Sequence, residues 1–356
     1  MKKIIMTGGG TAGHVIPNIA LLDTLSKDYK IYYIASKDGM ERELIEKQDI
    51  PYYGISSGKL RRYMNIKNFT DAFRVIKGLA QAVRLIRRIK PDVIFSKGGF
   101  VSVPVVLAAG LLKIPVVLHE SDITPGLANK MSLPFARAVC ISFPESKQHI
   151  KHSRIHLTGT PIRETIFKGD ADKGRKFCGF LESKPVLLVM GGSQGSVKLN
   201  TVLRESLDTL TKSYNIVHLC GKNNLDVKLE GTMGYVQFEY LDEEMPHVLA
   251  AADVVACRAG ANSIFELLAL KKPNLLIPLS KAQSRGDQIE NAQSFEKQGF
   301  SKVMYEENMD TSSFVMEIID LYTHKEKYVN AMEESLVTDG VSEVARIIKR
   351  YSNKVE

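Results

Sequence analysis

Nothing in the sequence stays apolar long enough to cross a bilayer. The longest such run, residues 101–112, is broken by Ser102 and Pro104 and stopped by Lys113, short of the ~20 residues that a spanning helix needs. The amino-terminal apolar stretch gives way to Gly8, too soon for the core of a signal peptide, so the chain is expected to stay in the cytosol. Cysteine is sparse: Cys140, Cys178, Cys220 and Cys257 lie about forty residues apart, with neither metal-ligand nor redox spacing. They are expected reduced and buried. No cluster of His, Cys and acids has the spacing of a metal site either. Low-complexity basic tails and aromatic stacking motifs are missing, which disfavours a nucleic-acid-binding protein. Acid is nearly absent from residues 59–90, which carry ten Lys or Arg against Asp71 alone, a net +9 that accounts for the whole imbalance of a chain at +8. Such a block has an anionic partner or forms a solvated face.

What is present reads as two halves. The 356 residues, 44% hydrophobic and 25% charged, have ordinary globular composition and exceed one typical domain. Runs rich in Ile, Val and Tyr at residues 2–7, 30–36, 92–97, 115–120 and 138–143 are apolar almost throughout, as in strands buried on both faces. Helical patterns separate them. A second series follows at 185–190, 215–221, 235–241, 253–258, 274–279 and 301–305, with a Gly-, Pro- and charge-bearing linker at 159–174 and a purely helical last stretch. Strand–helix alternation predicts α/β, doubly wound parallel sheets. Two such sheets, each with ligands at the carboxyl ends of its strands, suit an enzyme that brings a nucleotide-bearing donor to a second substrate.

Four glycine loops follow strands. Thr7-Gly8-Gly9-Gly10-Thr11-Ala12-Gly13-His14 ends the first strand and opens a helix, where bare N–H groups meet an anion. Gly8, Gly10 and Gly13 satisfy the dinucleotide fingerprint, yet the second strand ends Ala35-Ser36-Lys37-Asp38, without a well-placed ribose acid. The others are Ser96-Lys97-Gly98-Gly99-Phe100, Gly191-Gly192-Ser193-Gln194-Gly195 and Arg258-Ala259-Gly260-Ala261. Four loops at strand ends, shared between the halves, point to phosphates on both sides.

Together with His119-Glu120, Asn129-Lys130, Gly159-Thr-Pro-Ile-Arg163, Asn200, Glu266, Asp287-Gln288 and Asn291-Ala292, these loops resemble the MurG family along nearly the whole chain. The resemblance implies a GT-B fold. It implies inverting, metal-independent transfer of N-acetylglucosamine from UDP-N-acetylglucosamine to lipid I, forming lipid II for peptidoglycan. No cofactor is expected. A first domain, residues 1–162, would take the acceptor and the membrane, and a second, 163–336, the UDP-sugar, with a helix at about 337–356 packing back on the first. Two departures stand out: His119-Glu120-Ser121-Asp122 where the family reads His-Glu-Gln-Asn, and Gly159-Thr160-Pro161 where it reads Gly-Asn-Pro.

The resemblance implies substrate contacts at Thr11, Ala12, Gly13, Arg163, Ser193, Leu241, Ala261, Asn262, Ser263, Glu266 and Gln288, and acceptor diphosphate at Gly98, Gly99 and Phe100. Physically, Glu266 can accept from a ribose diol, Ser193 can donate to a phosphate, and Gln288 offers a donor and an acceptor to sugar hydroxyls. Arg163 can counter the charge that grows as UDP leaves, and Leu241 can lie beside uracil. His14 has a pKa suited to taking the acceptor's proton; Glu120 and His119 remain alternatives. Asp170-Ala171-Asp172 matches a D-x-D metal signature but lies in the linker with no apolar strand before it, and reads as a solvated pair.

The basic block interleaves its cations with Phe69, Phe73, Ile76, Leu79, Val83 and Ile86 at helical spacing. One reading is a buried face with a basic back. The other, favoured here, is contact between residues 59–90 and an anionic membrane surface, which puts the protein peripherally on the cytoplasmic face of the cell membrane. Other cell-wall enzymes are further partners that the resemblance leaves open. A UDP-N-acetylglucosamine 2-epimerase would not need this block, and a nicotinamide dehydrogenase would not need the second set of loops.

Overall fold

The computed structural model describes residues 1–58, 67–181, 183–192, 194–281, 284, 286–335 and 339–352. They form two units. One comprises Met1–Arg163 with the carboxyl-terminal segment, the other Glu164–Leu336. The division falls one residue beyond the expected one.

The first unit is built on seven parallel strands: β1 Lys2–Thr7, β2 Tyr29–Ser36, β3 Tyr52–Ile55, β4 Val93–Ser96, β5 Val116–Glu120, β6 Ala138–Ile141 and β7 Ile155–Leu157. Their order is β3-β2-β1-β4-β5-β6-β7. The central strands carry apolar residues on both faces because helices cover both faces; Ile4, Ile5, Ile94, Phe95, Val116 and Val117 are wholly buried. Helix Gly340–Ser352 belongs to this unit, and its Val344, Ile347 and Ile348 complete the same core. Gly340 permits the approach: a Cβ there would lie 2.3 Å from the Thr160 carbonyl oxygen.

The second unit repeats the plan with β8 Val186–Met190, β9 Asn215–Leu219, β10 Tyr235–Phe238, β11 Val254–Cys257, β12 Asn274–Leu276 and β13 Lys302–Val303, ordered β10-β9-β8-β11-β12-β13 and all parallel. Residues 164–174, expected as linker, are part of this unit. Helix Ala171–Phe177 packs on helix Met245–Ala251. A Cβ at Gly169 or Gly174 would lie 2.1 or 2.2 Å from the carbonyls of Pro246 and His247.

The four cysteines are free and buried, and burial pushes the Cys140 and Cys257 thiols up to about 12. No helix among the described residues is long and apolar enough to cross a membrane.

The apolar stripe of the basic block behaves differently from a core face. Within helix Lys67–Ile89, Ile86 is buried, Leu79 and Val83 are half-buried, and Phe73 and Ile76 are 72% and 64% exposed. Each three-residue step turns back about 60° on an α-helix, so the stripe winds out of the core toward its amino-terminal end. Residues 59–66 and the Phe69 side chain lie outside the described residues.

Candidate active site

In each sheet the strand order reverses between two neighbours, β1 and β4 in the first and β8 and β11 in the second. The carboxyl edge at such a switch point is where doubly wound sheets bind ligands, and all four glycine loops leave from these strands.

In the first unit the paired register of Thr7 with Ser96 sets the first two loops side by side. Their contact needs glycine: a Cβ on Gly99 would lie 2.2 Å from the Gly9 carbonyl oxygen, and the backbones of Gly10, Gly98 and Gly99 are left-handed, φ +86°, +98° and +85°. Thr11, Ala12 and Gly13 then open helix Ala12–Ala20. His14 Nδ1 lies 3.1 Å from the Gly9 carbonyl oxygen and 3.1 Å from Thr11 Oγ1. A carbonyl only accepts, so this network assigns the proton to Nδ1 and leaves a lone pair on Nε2.

Glu41, which the sequence did not single out, is wholly buried beneath this loop. Its Oε2 accepts from Gly10 N–H at 3.1 Å, and its Oε1 accepts from the Ser36 N–H at 3.2 Å and from the Ser36 hydroxyl. The acid sought at the end of β2 stands three residues past Asp38, carried back by helix Met40–Glu46. It binds the protein's own loop.

His119 and Glu120, the two alternatives to His14, are committed elsewhere. His119 is wholly buried and its Nε2 donates to the Gly159 carbonyl at 2.8 Å; burial, with the nearby Lys97 charge, holds its pKa well below the ordinary range. Glu120 accepts from Asp122 N–H at 3.1 Å, Gly126 N–H at 3.0 Å and Asn129 Nδ2 at 2.9 Å, so it shapes the loop after β5.

The second unit is held by one side chain. Arg258, at the end of β11, donates to Ser196 Oγ and Glu306 Oε1, both at 2.6 Å, and to the Ile277 carbonyl at 3.1 Å. The arginine and Glu306 are both buried. The loop after β11 is thereby tied to three others: the one after β8, whose Ser196 caps helix Val197–Glu205, and those after β12 and β13. Sequence motifs included Arg258 but not this role, and Glu306 gave no signal because its partner is 48 residues away. Asn291 Nδ2 adds a 3.3 Å bond to the Ala259 carbonyl.

Each unit gathers its own set of expected residues. Thr11, Ala12, Gly13 and His14 stand with Gly98, Gly99 and Phe100 on the first sheet's edge. Ala261, Asn262 and Ser263 form the first turn of helix Ala261–Ala269, with the half-buried Glu266 in its second turn. Gln288 begins helix Asp287–Lys297, and its Oε1 accepts from Leu279 N–H at 3.1 Å. Its acceptor is therefore in use and its amide N–H groups are the part left for a ligand, a narrower offer than expected. Leu241 is buried just past β10, at the outermost strand, not beside the switch point. Arg163 ends the first unit half-buried, its Nε without a hydrogen-bond partner among the described residues. Ser193 lies outside the described residues. Asp170 caps helix Ala171–Phe177, its side chain accepting from Lys173 N–H at 3.1 Å, which also holds its carboxyl below the usual range.

Comparison with known proteins agrees with this architecture. The profile of the glycosyltransferase family 28 N-terminal domain matches residues 4–141, and that of the family 28 C-terminal domain matches residues 186–351. The chain is 56% identical over 353 residues, covering 99% of itself and 100% of the relative, to the UDP-N-acetylglucosamine--N-acetylmuramyl-(pentapeptide) pyrophosphoryl-undecaprenol N-acetylglucosamine transferase of Clostridium botulinum. The transferase of the same name from Clostridium perfringens is 56% identical over 352 residues, 99% of each chain. Among solved structures, Acinetobacter baumannii MurG superposes with a TM-score of 0.76 at 24% identity, over 98% of this chain and 100% of that one. The UDP-GlcNAc 2-epimerase of Neisseria meningitidis, at 14% identity and a TM-score of 0.69 over 99% of each chain, shares the fold. The glycine loops, the two doubly wound sheets and the full-length identity make one conclusion: the chain belongs to glycosyltransferase family 28 and, within it, to the MurG family.

Proposed function

We propose that the protein transfers N-acetylglucosamine from UDP-N-acetylglucosamine to lipid I, with inversion and without a metal ion. The observation that carries this reading is the pair of glycine loops at the switch point of each sheet, in a chain 56% identical end to end to transferases of that name. The second unit takes the donor. Backbone N–H groups at Ala261–Ser263 face its phosphates with the helix dipole behind them, Glu266 accepts from the ribose diol, and the Gln288 amide donates to a sugar hydroxyl. Leu241 packs beside uracil, and Ser193 donates to phosphate. The first unit takes the acceptor, whose diphosphate lies on Gly98, Gly99 and Phe100; Thr11, Ala12 and Gly13 border the sugar.

Inversion is one displacement. The acceptor hydroxyl attacks the anomeric carbon as the bond to the UDP oxygen breaks on the opposite face. The hydroxyl's proton passes to His14 Nε2, which the Nδ1–Gly9 bond leaves as the basic nitrogen. The electron pair leaves with UDP, whose charge Arg163 and the helix N-termini take up. The competing assignments are weakened by the committed oxygens of Glu120 and by the depressed pKa of His119.

Residues 59–90 hold the enzyme peripherally on the cytoplasmic face of the membrane, where the exposed Phe73 and Ile76 stand among Arg74 and Lys77. The deciding experiment is incubation with labelled UDP-N-acetylglucosamine and a lipid I analogue in excess chelator. Labelled lipid II with the inverted anomer is expected. Product only after Mg²⁺ or Mn²⁺ is added would overturn the metal-free mechanism, and no product under either condition would overturn the activity.

A further inference from the structure

Lys97, the residue between β4 and Gly98, is 1% exposed. Its ammonium has three N–H donors, and among the described residues it reaches one acceptor, Ser121 Oγ. The nearby Glu120 carboxylate already accepts from the Asp122 and Gly126 N–H groups and from Asn129. Burial lowers the Lys97 pKa to about 8, offset only in part by the charges of Glu120 and Asp122. A buried ammonium so poorly paired is expensive, and an apolar side chain of the same length would be cheaper. Stability alone does not account for a lysine here.

Ser121 supplies the other half of the argument. Its oxygen accepts from Lys97, so its own proton must be donated elsewhere. The residue is half-buried and no other described residue takes that proton. It follows β5, the neighbour of β4 in the sheet, and so stands on the same edge as Gly98 and Gly99. The position is also one where this chain departs from the family, which reads glutamine. An amide donates by itself; a hydroxyl gains strength as a donor when a cation binds its oxygen.

We propose that Lys97 and Ser121 form a relay in which the ammonium polarises the serine hydroxyl, and that hydroxyl donates to a phosphoryl oxygen of the acceptor's diphosphate on the Gly98–Phe100 loop. Lys97 is a positioning residue that acts through Ser121. The relay rests on the acceptor assignment made above and extends it to two residues not otherwise assigned.

The test compares S121A, K97M and the double variant with the parent, all full length, using a soluble lipid I analogue. Each single change raises the acceptor KM about tenfold, with kcat and donor KM unchanged, and the double variant is no worse than the worse single. K97M melts at or above the parent, because a buried charge has been removed. Unchanged acceptor KM in S121A, additive losses, or a rise in donor KM in place of acceptor KM would each overturn the relay, as would a K97M defect that appears only with a lowered melting temperature. Calorimetry with inorganic pyrophosphate separates this proposal from the activity itself. Should the parent transfer nothing, about tenfold weaker pyrophosphate binding in S121A still supports the relay, and equal binding overturns it.

Discussion

The two sheets share one strand order, yet their ligand edges are held in opposite ways. In the second unit a single arginine ties its loop to three others, and its partner Glu306 is buried with it. In the first unit the clamps are separate, Glu41 under the loop after β1 and Glu120 under the loop after β5. A rigidly tied edge suits a preorganised cradle for a diphosphate that leaves as a more highly charged group. An edge of separately held loops that carries a histidine of assigned tautomer suits the side on which a proton moves. The comparison can be broken at either end.

The largest expected effect lies at His14. His14→Gln keeps a polar side chain near Gly9 but has no basic nitrogen. The expected outcome is a fall in kcat of about 10²–10⁴-fold, with donor KM and melting temperature unchanged. A fall of only a few-fold would move the base elsewhere and remove the functional half of the contrast. Next is Arg258→Met, which strands Glu306 as a buried, unpaired charge. Such a break costs about 3–5 kcal/mol, whereas replacing both partners by apolar residues is often near neutral. Hydrogen exchange should speed up across the second unit and not the first, and R258M/E306M should recover most of the protection. Equal loss in both units would show that the second edge is not independently tied.

How far these features could be read in advance depends on whether their cause was local. The central strands announced themselves as unbroken apolar runs. The two strands that went unread, Tyr52–Ile55 and Ile155–Leu157, are the two edges of the first sheet; three or four half-covered residues leave no periodic signal. The loops were legible because glycine is needed where two backbones nearly touch, as at Gly99 and Gly9. The clamps were not, since Glu41 acts across a turn and Arg258 meets Glu306 through tertiary folding. The exposure of Phe73 and Ile76 left two readings open in the sequence, because a stripe with three-residue steps drifts around the helix and its spacing alone does not say where it leaves the core.

One weakness is shared by both units. His119 in the first and His218 in the second are buried neutral, with burial holding His119 well below the ordinary 6.5 and His218 down to about 3. As the folded pKa values are depressed, the unfolded chain binds protons first. Their contribution is complete above about pH 6.5 and is lost as pH falls from there, at about 1.4 kcal/mol per pH unit for each histidine, toward pH 3 for His218. Urea unfolding at pH 7.5 and 5.5 should therefore show both units weakened together, unlike the one-sided effect of Arg258→Met. A stability that is flat across that range would mean that neither histidine stays neutral.

A smaller effect belongs to the first unit alone. Each cation near anionic lipid contributes about 1 kcal/mol, and that attraction is screened by salt. The parent should sediment with anionic liposomes at low salt and release as salt rises. Replacing Phe73 and Ile76 by serine, or Arg74 and Lys77 by glutamate, should weaken sedimentation without slowing transfer to a soluble acceptor. If both variants bind liposomes like the parent, the exposed stripe is not the membrane face.

The finest test returns to the second edge. Gln288 holds Leu279 N–H through Oε1 and has its amide N–H groups left to donate. Alanine would remove both functions at once and confuse loop support with sugar contact. Gln288→Glu separates them, because a carboxylate still accepts from Leu279 but has no N–H to offer. The loop should hold and the melting temperature should stay put. Loss of one hydrogen bond to a neutral hydroxyl is worth about 0.5–1.5 kcal/mol, so KM for UDP-N-acetylglucosamine should rise by a few-fold to about tenfold, and its preference over UDP-glucose should narrow. Kinetics and preference identical to the parent's would show that Gln288 serves the loop alone, and the tied edge would then read the sugar with some other donor.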